Sequence, residues 1–261
     1  MSADRKSLGS AATWCAIAVA AYFVADVAHE GLGHGGACLA LGGRMLLLDT
    51  TFEDCSIHSR LIDGAGPVVG IIVAMLAYAW LRFAPPRAAA IRIFLCLVFA
   101  FAGFWNVGYL IKSGLTDQGD WAFVIAGLAP AKLWHIGITI LGIVLYAAAM
   151  RILGAMIFRA LPSEDGVGMR PLAFALTAYV AAALLSAAAG YFDPRGPMTI
   201  LTDALPSSLG AVGLVWVGFE MNRRLPTFRV AVPSSTIWIA AGCVLAVIFI
   251  AILGPGWRGG A

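Results

Sequence analysis

Seven apolar segments, separated by short polar stretches, run along the 261-residue chain. A helix needs about 20 residues to cross the hydrocarbon core of a bilayer, and each segment approaches or exceeds that length. The pattern predicts an all-α polytopic membrane protein with about six to seven transmembrane helices. The sixth segment is the least regular, because Asp203, Pro206 and two serines interrupt it. The segments cover residues 10–34, 62–83, 88–112, 130–158, 170–191, 198–220 and 235–254.

The polar stretch between the first two segments has a different character. It contains the run LLLDTTF, which alternates loosely and is rich in strand-forming residues. This composition predicts a short hairpin-like segment over about 44–60. No internal repeat and no separate soluble domain is visible, so we expect residues 1–261 to form a single membrane domain.

Composition agrees with a membrane protein and excludes one class of function. Hydrophobic residues make up 61% of the chain, charged residues make up 12%, and the mean hydropathy is +0.90. The charged fraction is about half that of a soluble domain. A formal net charge of +3 without a basic stripe excludes nucleic acid as a partner and leaves the lipid bilayer. The five cysteines form no C-x-x-C pair and indicate no redox compartment.

The basic residues predict the orientation. If the N-terminus is cytoplasmic, eleven of the 17 lysines and arginines fall on the cytoplasmic side and six on the other side. By the positive-inside rule we expect an integral protein of the cell membrane, plasma or inner, with a cytoplasmic N-terminus. Arg5 and Lys6 before the apolar stretch also suit a signal peptide, but that stretch is long for one. The eleven are Arg5, Lys6, Arg82, Arg87, Arg92, Arg151, Arg159, Arg170, Arg223, Arg224 and Arg229.

The alternation of seven spans also gathers residues that can bind metals. All four histidines and several acids fall at the end of the bundle opposite the N-terminus, whichever way the protein is oriented. Separate segments therefore bring ligand-type residues to one level of the membrane. They are His29, Glu30, His34, His58, Asp63, Asp117, Asp120 and His135.

The segment His29-Glu30-Gly31-Leu32-Gly33-His34 is the feature that points to chemistry. Ionisable residues inside a membrane span are costly and by default indicate a functional site. In zinc hydrolases with an H-E-x-x-H motif, a helix presents two imidazoles to the metal. The glutamate then takes a proton from the attacking water and passes it to the leaving nitrogen.

The spacing here is one residue longer, H-E-x-x-x-H, so the histidines are five positions apart. On an ideal α-helix they would point about 140° apart, against about 40° for a four-residue spacing. A π-bulge would bring both imidazoles to one side, and the glycines of the segment tolerate such a distortion. Alternatively Glu30 and His34, which are four positions apart, are the two metal ligands of this helix.

These residues, together with those that follow, resemble the site-2 protease family of intramembrane zinc metalloproteases. That family carries H-E-x-x-H in an early span, a glycine-rich continuation, a strand-like hairpin and a span that opens with A-G-P. The counterparts here are His29–His34, Gly42-Gly43, the stretch 44–60 and Ala65-Gly66-Pro67. The resemblance implies a metalloprotease-like core over about 10–130, with additional transmembrane helices over about 130–255. The soluble dipeptidyl-peptidase III family, whose zinc motif is similar, shows that the six-residue spacing can hold zinc.

The resemblance also implies a third ligand and a reaction. A later family span carries an asparagine and then an aspartate that binds zinc, and Asn106 and Asp120 are the counterparts, with Asp117 as the alternative. The implied function is a zinc-dependent intramembrane endopeptidase acting on a membrane-embedded or membrane-proximal protein. His29, His34 and Asp120 would hold Zn²⁺, and Glu30 would be the general base.

Two other functions also fit the sequence. The extra residue in the motif and the Gly-Asp order, where the family has Asp-Gly, suit a non-catalytic member that acts as an assembly factor or chaperone. A transporter is a third possibility, although paired broken helices and repeated halves are missing from the pattern.

Several other residues have either a structural or a functional interpretation. His58 and His135 are alternative third ligands or ordinary membrane-interface residues, and Asp26 either orients an imidazole or caps a helix. Asp63 suits the start of a helix, where the dipole favours a negative charge. Asn106 must find a hydrogen-bond partner within an apolar run.

Overall fold

The computed structural model of the chain describes residues 3–85, 88–163, 168–231 and 234–259, with side chains from residue 11 onward. Within these residues, seven helical segments are long and apolar enough to cross a membrane. The protein is therefore a mostly helical membrane protein, as the hydrophobic pattern predicts. The spans cover Ala11–Ala40, Arg60–Leu81, Ala89–Thr116, Ala131–Ala160, Pro171–Gly190, Ile200–Arg224 and Thr236–Leu253.

The spans are built from α-helices and from π-helical segments in the first, sixth and seventh spans. The sixth span is divided among a π-helix and two short α-helices, in agreement with its irregular sequence. The α-helices are α1 (Ala3–Asp26), α2 (Gly36–Ala40), α3 (Arg60–Leu81), α4 (Ala89–Thr116), α5 (Asp120–Ile125), α6 (Ala131–Ala160), α7 (Pro171–Gly190), α8 (Leu205–Leu209), α9 (Val212–Arg224) and α10 (Thr236–Ile248). The π-helices cover Val27–Gly35, Ile200–Ala204 and Phe249–Leu253.

Helix α4 lies at the centre of the bundle. The apolar part of α4 is 83% buried, whereas that of α6 is 17% buried and that of the last span 11%. Helices α1, α3 and α6 all pack against α4. A polar side chain on α4 is consequently directed into protein and can reach the first span, while the outer helices expose apolar side chains as a lipid-facing surface requires.

The hairpin predicted over about 44–60 is present as two short antiparallel strands, β1 (Met45–Leu48) and β2 (Glu53–Cys55). Leu48 of β1 also exchanges two backbone hydrogen bonds with Trp257, near the end of the chain. The free edge of β1 is thereby covered, and the outer edge of β2 remains as the edge without a described partner strand.

A disulfide joins Cys38, near the end of the first span, to Cys55 in β2. The spacing of the cysteines does not predict this bond. The disulfide corrects the expectation that the cysteines indicate no redox compartment. Gly43 is packed against the bridge, since a Cβ at that position would lie 2.5 Å from the Cys55 Sγ. The bond fixes the hairpin against the end of the first span.

Arg195 provides a second attachment for the hairpin. Its guanidinium donates to Asp193 and to the Thr51 hydroxyl, each at 2.7 Å, and lies within 3.9 Å of Asp49. Burial acts to raise the pKa of Asp193, but the hydrogen bonds and charge of Arg195 outweigh it and hold that pKa below its usual range. The loop after β1 is thus tied to the connection that follows α7.

Candidate metal centre

The first span turns π-helical over Val27–Gly35, which includes the whole H-E-x-x-x-H segment. In a π-helix the backbone hydrogen bonds join residues five apart, as the bond from the Gly36 N–H to the Gly31 carbonyl illustrates. His29 and His34 therefore come to one side of the helix, and their Nε2 atoms are 3.2 Å apart. The π-turn predicted from the spacing is confirmed, and it extends over more residues than a single bulge.

His29 is held by α4. Its Nδ1 lies 2.5 Å from the Oδ1 of Asn106, and the Asn106 Nδ2 donates to the Ala102 carbonyl at 2.7 Å. Because the amide nitrogen is committed to a carbonyl, Oδ1 faces the ring and must accept from Nδ1–H. The Trp105 ring stacks on the imidazole with centroids 4.5 Å apart. The Nε2 of His29 is left with a free lone pair directed into the site.

His34 is held by α3. Its Nδ1 donates to the Ile62 carbonyl at 2.8 Å, which again leaves Nε2 as the unprotonated nitrogen. The ring lies directly over Gly66, where an added Cβ would be 2.1 Å from Nε2. Gly33 approaches the same place, since its Cβ would meet the Gly66 Cα at 2.5 Å. Small residues on both helices allow this close packing.

Asp120 supplies the carboxylate. It is the first residue of α5, after a turn in which Asp117 and Gly119 both have positive φ. Its Oδ2 lies 3.2 Å from the His29 Nε2 and 3.8 Å from the His34 Nε2, and no described residue donates a hydrogen bond to it.

These three ligand atoms fit a metal ion. They all lie within 4.8 Å of one another, and two lone pairs and a carboxylate oxygen facing each other repel unless a cation lies between them. A tetrahedral zinc ion with bonds of about 2.0–2.1 Å separates its ligands by about 3.3–3.4 Å. The observed separations of 3.2, 3.2 and 3.8 Å are close to that value. The group could therefore hold a metal ion.

Glu30 lies beside this group and opens onto a cavity. Its Oε1 is 3.8 Å from the His29 Nε2, and its side chain is buried. The cavity measures about 450 Å³ and is lined by Glu30, His34 and Asp120, together with residues of the hairpin and of the stretch that follows it (51–55 and 57–59). A carboxylate, three metal-type ligands and an accessible space thus meet at one point.

Comparisons with protein-family models, curated proteins and solved structures find no match to this chain. Its chemistry therefore has to be inferred from the site itself.

The other candidate residues take different places. Asp117 lies 3.6 Å from His135 and its side chain is 76% exposed, so these two residues form a separate pair outside the metal group. His58 and Asp63 line the cavity without joining the three ligands. Asp26 is buried one turn before His29, and its Oδ2 has no hydrogen-bond partner among the described residues.

Two cavity residues were not singled out by the sequence analysis. Tyr109 lines the cavity beside Asp120, and its ring centroid is 5.8 Å from that of His29. It follows Asn106 by three positions, so the helical period places both on one face of α4. Glu53 of β2 also lines the cavity, and burial raises its pKa above the usual range. Glu53 is recognised as a cavity residue only from the structure, because the sequence does not show that the hairpin lies against the metal group.

Proposed function

We propose that the protein is a zinc-dependent intramembrane endopeptidase. The observation that supports this best is the convergence of His29, His34 and Asp120 beside Glu30, at a cavity open to the hairpin. Two histidines and one carboxylate are a ligand set found in catalytic zinc sites, which keep a fourth position for water or substrate. The position of the group near the end of a membrane span suits a substrate within or close to the bilayer.

The residues around the metal group have distinct roles in the proposed reaction. Asn106 and the Ile62 carbonyl hold the two imidazoles in the tautomer that can bind a metal. Zinc, when bound, supplies Lewis acidity that brings the pKa of a water molecule to about 7. Glu30 takes the proton from the attacking water and delivers it to the amide nitrogen of the scissile bond. Water adds across the peptide bond, which releases a carboxylate and an amine.

The hairpin offers a way to present the substrate. The edge of β1 is covered by the backbone of Trp257, whereas β2 borders the cavity and has no described strand on its outer edge. An extended segment that pairs with β2 would place its peptide bonds alongside Glu30 and Asp120. A helical substrate would have to unwind locally, which exposes the peptide bond to attack.

Glu30→Gln tests the reaction. The amide has nearly the shape of the carboxylate but does not accept the proton, so we expect zinc content to stay close to wild type. Cleavage should fall by at least about 100-fold, since general acid–base catalysis contributes that much or more. The measurement compares new protein N-termini in membranes that contain wild-type or variant protein, together with metal analysis of both purified proteins.

Asp63→Asn is the matched control, because it removes a carboxylate from the same cavity without changing Glu30 or the three ligands. We expect it to keep both zinc and cleavage. Equal fragment patterns from wild type and Glu30→Gln would refute the endopeptidase. Wild-type protein that carries zinc but generates no fragments would favour the non-catalytic assembly factor.

We also propose that the N-terminus is cytoplasmic and that the metal site faces the oxidising side of the plasma or inner membrane. The Cys38–Cys55 disulfide lies at the metal-site end, and disulfides persist in oxidising compartments. The excess of basic residues lies at the other end. A reporter enzyme that requires disulfides should be active when fused to the C-terminus and inactive at the N-terminus. The reverse result would invert the orientation.

A further inference from the structure

A second cavity lies at the end of the bundle opposite the metal group, where α3 ends, α4 begins and α6 ends. It measures about 590 Å³, and four arginines line it: Arg82, Arg92, Arg151 and Arg159. Three different segments contribute them, so the convergence depends on the tertiary fold. We call it the arginine cavity.

Arg92 holds the base of the arginine cavity in place. Its Nε donates to the Ala160 carbonyl at 2.9 Å, and its NH1 group donates to the Ala84 carbonyl at 3.1 Å. The guanidinium thereby ties the end of α6 to the chain that follows α3, and it is only partly exposed. Its positive charge is a fixed part of the cavity.

The other three arginines are exposed and make no ion pair with a described carboxylate. The contrast is provided by Arg223 and Arg224, at the same end of the bundle, which both pair with Glu220 at 3.0 and 2.8 Å. No acidic residue appears among the described residues that line the cavity. Four positive charges thus surround a space in which the described protein supplies no counter-charge.

Part of the wall of the arginine cavity is apolar. Tyr78 and Leu81 of α3 and Ile152 and Met156 of α6 line it together with the arginines. Its volume is within the range of small-molecule sites, about 300–1,000 Å³. A guanidinium forms paired hydrogen bonds with phosphate oxygens, and basic pockets between membrane helices suit the head groups of anionic lipids. An anionic head group with an attached apolar chain matches both features.

We propose that the arginine cavity binds a phosphate-bearing anion, either the head group of an anionic phospholipid or a soluble phosphate compound. Arg82, Arg151 and Arg159 contact the phosphate, and Arg92 shapes the base. The site is independent of the metal group, because the two lie at opposite ends of the bundle.

The test uses the full-length protein in detergent and a double variant, Arg151→Gln/Arg159→Gln. Native mass spectrometry measures the retention of added phosphatidylglycerol against phosphatidylcholine, and a parallel titration adds inorganic phosphate alone. Each arginine near a phosphate is expected to contribute about fivefold in affinity, so the double variant should bind on the order of 25-fold more weakly. Preferential retention of phosphatidylglycerol identifies a lipid source, and saturable binding of phosphate without lipid preference identifies a soluble one.

Arg223→Gln/Arg224→Gln is the control, because it removes the same charge from the same end of the bundle but from residues already paired with Glu220. We expect it to bind like wild type. An equal loss in both double variants would show that only general surface charge acts and would overturn the site. Wild type that retains neither phosphatidylglycerol nor phosphate would overturn it as well. Unchanged elution on size exclusion verifies that both variants are folded.

Discussion

Gly66→Ala is expected to weaken metal binding strongly, although Gly66 is not one of the three candidate ligands. The new Cβ would lie 2.1 Å from the His34 Nε2 and within 2.6 Å of two further ring atoms. These separations are far below a van der Waals contact, so the imidazole has to leave its position. Moving the ring away from Gly66 would also break the hydrogen bond from its Nδ1 to the Ile62 carbonyl. Affinity for zinc should fall by more than about 100-fold, beyond the loss typical of outer-shell substitutions.

Gly31→Ala is the informative comparison for Gly66→Ala. Gly31 lies within the H-E-x-x-x-H segment itself, yet its added Cβ would meet only the Val27 Cγ1, at an ordinary 3.6 Å. We expect this variant to keep zinc. Competition with a chromophoric chelator measures both affinities, and size exclusion in detergent shows whether each variant is folded. A folded Gly66→Ala protein with wild-type zinc affinity would contradict the described placement of His34.

Asp120→Asn is expected to lower zinc affinity by more than about 100-fold. Asp120 provides the only described carboxylate in the metal group, and its Oδ2 lies 3.2 Å from the His29 Nε2. An amide carries no charge to offset that of the ion, and amide side chains are not among the usual ligands of zinc. The effect should exceed that of removing an outer-shell partner, which costs about 10–100-fold.

Asp117→Asn separates the two aspartates of this segment. Asp117 is exposed and adopts a left-handed conformation, which asparagine tolerates well. The substitution should change zinc affinity by no more than about twofold, because surface substitutions outside the metal group have small effects. Metal analysis and chelator competition on the two proteins measure the difference. If Asp117→Asn loses the metal while Asp120→Asn retains it, the third ligand has been assigned to the wrong residue.

The candidate site was partly predictable. Two histidines and a glutamate lie within six residues of an apolar span. Because ionisable side chains in a bilayer carry a large free-energy cost, this cluster indicates a functional site, and its residue types indicate metal chemistry. If both imidazoles bind one ion, the six-residue spacing also predicts a π-turn, since an α-helix would separate them. The extent of the π-helix was less predictable, because backbone distortion over Val27–Gly35 also depends on the close packing of Gly33 against Gly66.

The pattern of apolar and polar segments by itself predicted about six to seven spans, the hairpin and the end of the bundle at which the candidate ligands lie. Such features are local, since helix length and apolar run length are fixed by the bilayer. Only the tertiary structure decided that Asp120 rather than Asp117 faces the histidines, that Cys38 pairs with Cys55, and that four arginines line one cavity. These pairings join residues far apart in the chain, and their geometry depends on how the helices pack around α4 rather than on any period in the sequence.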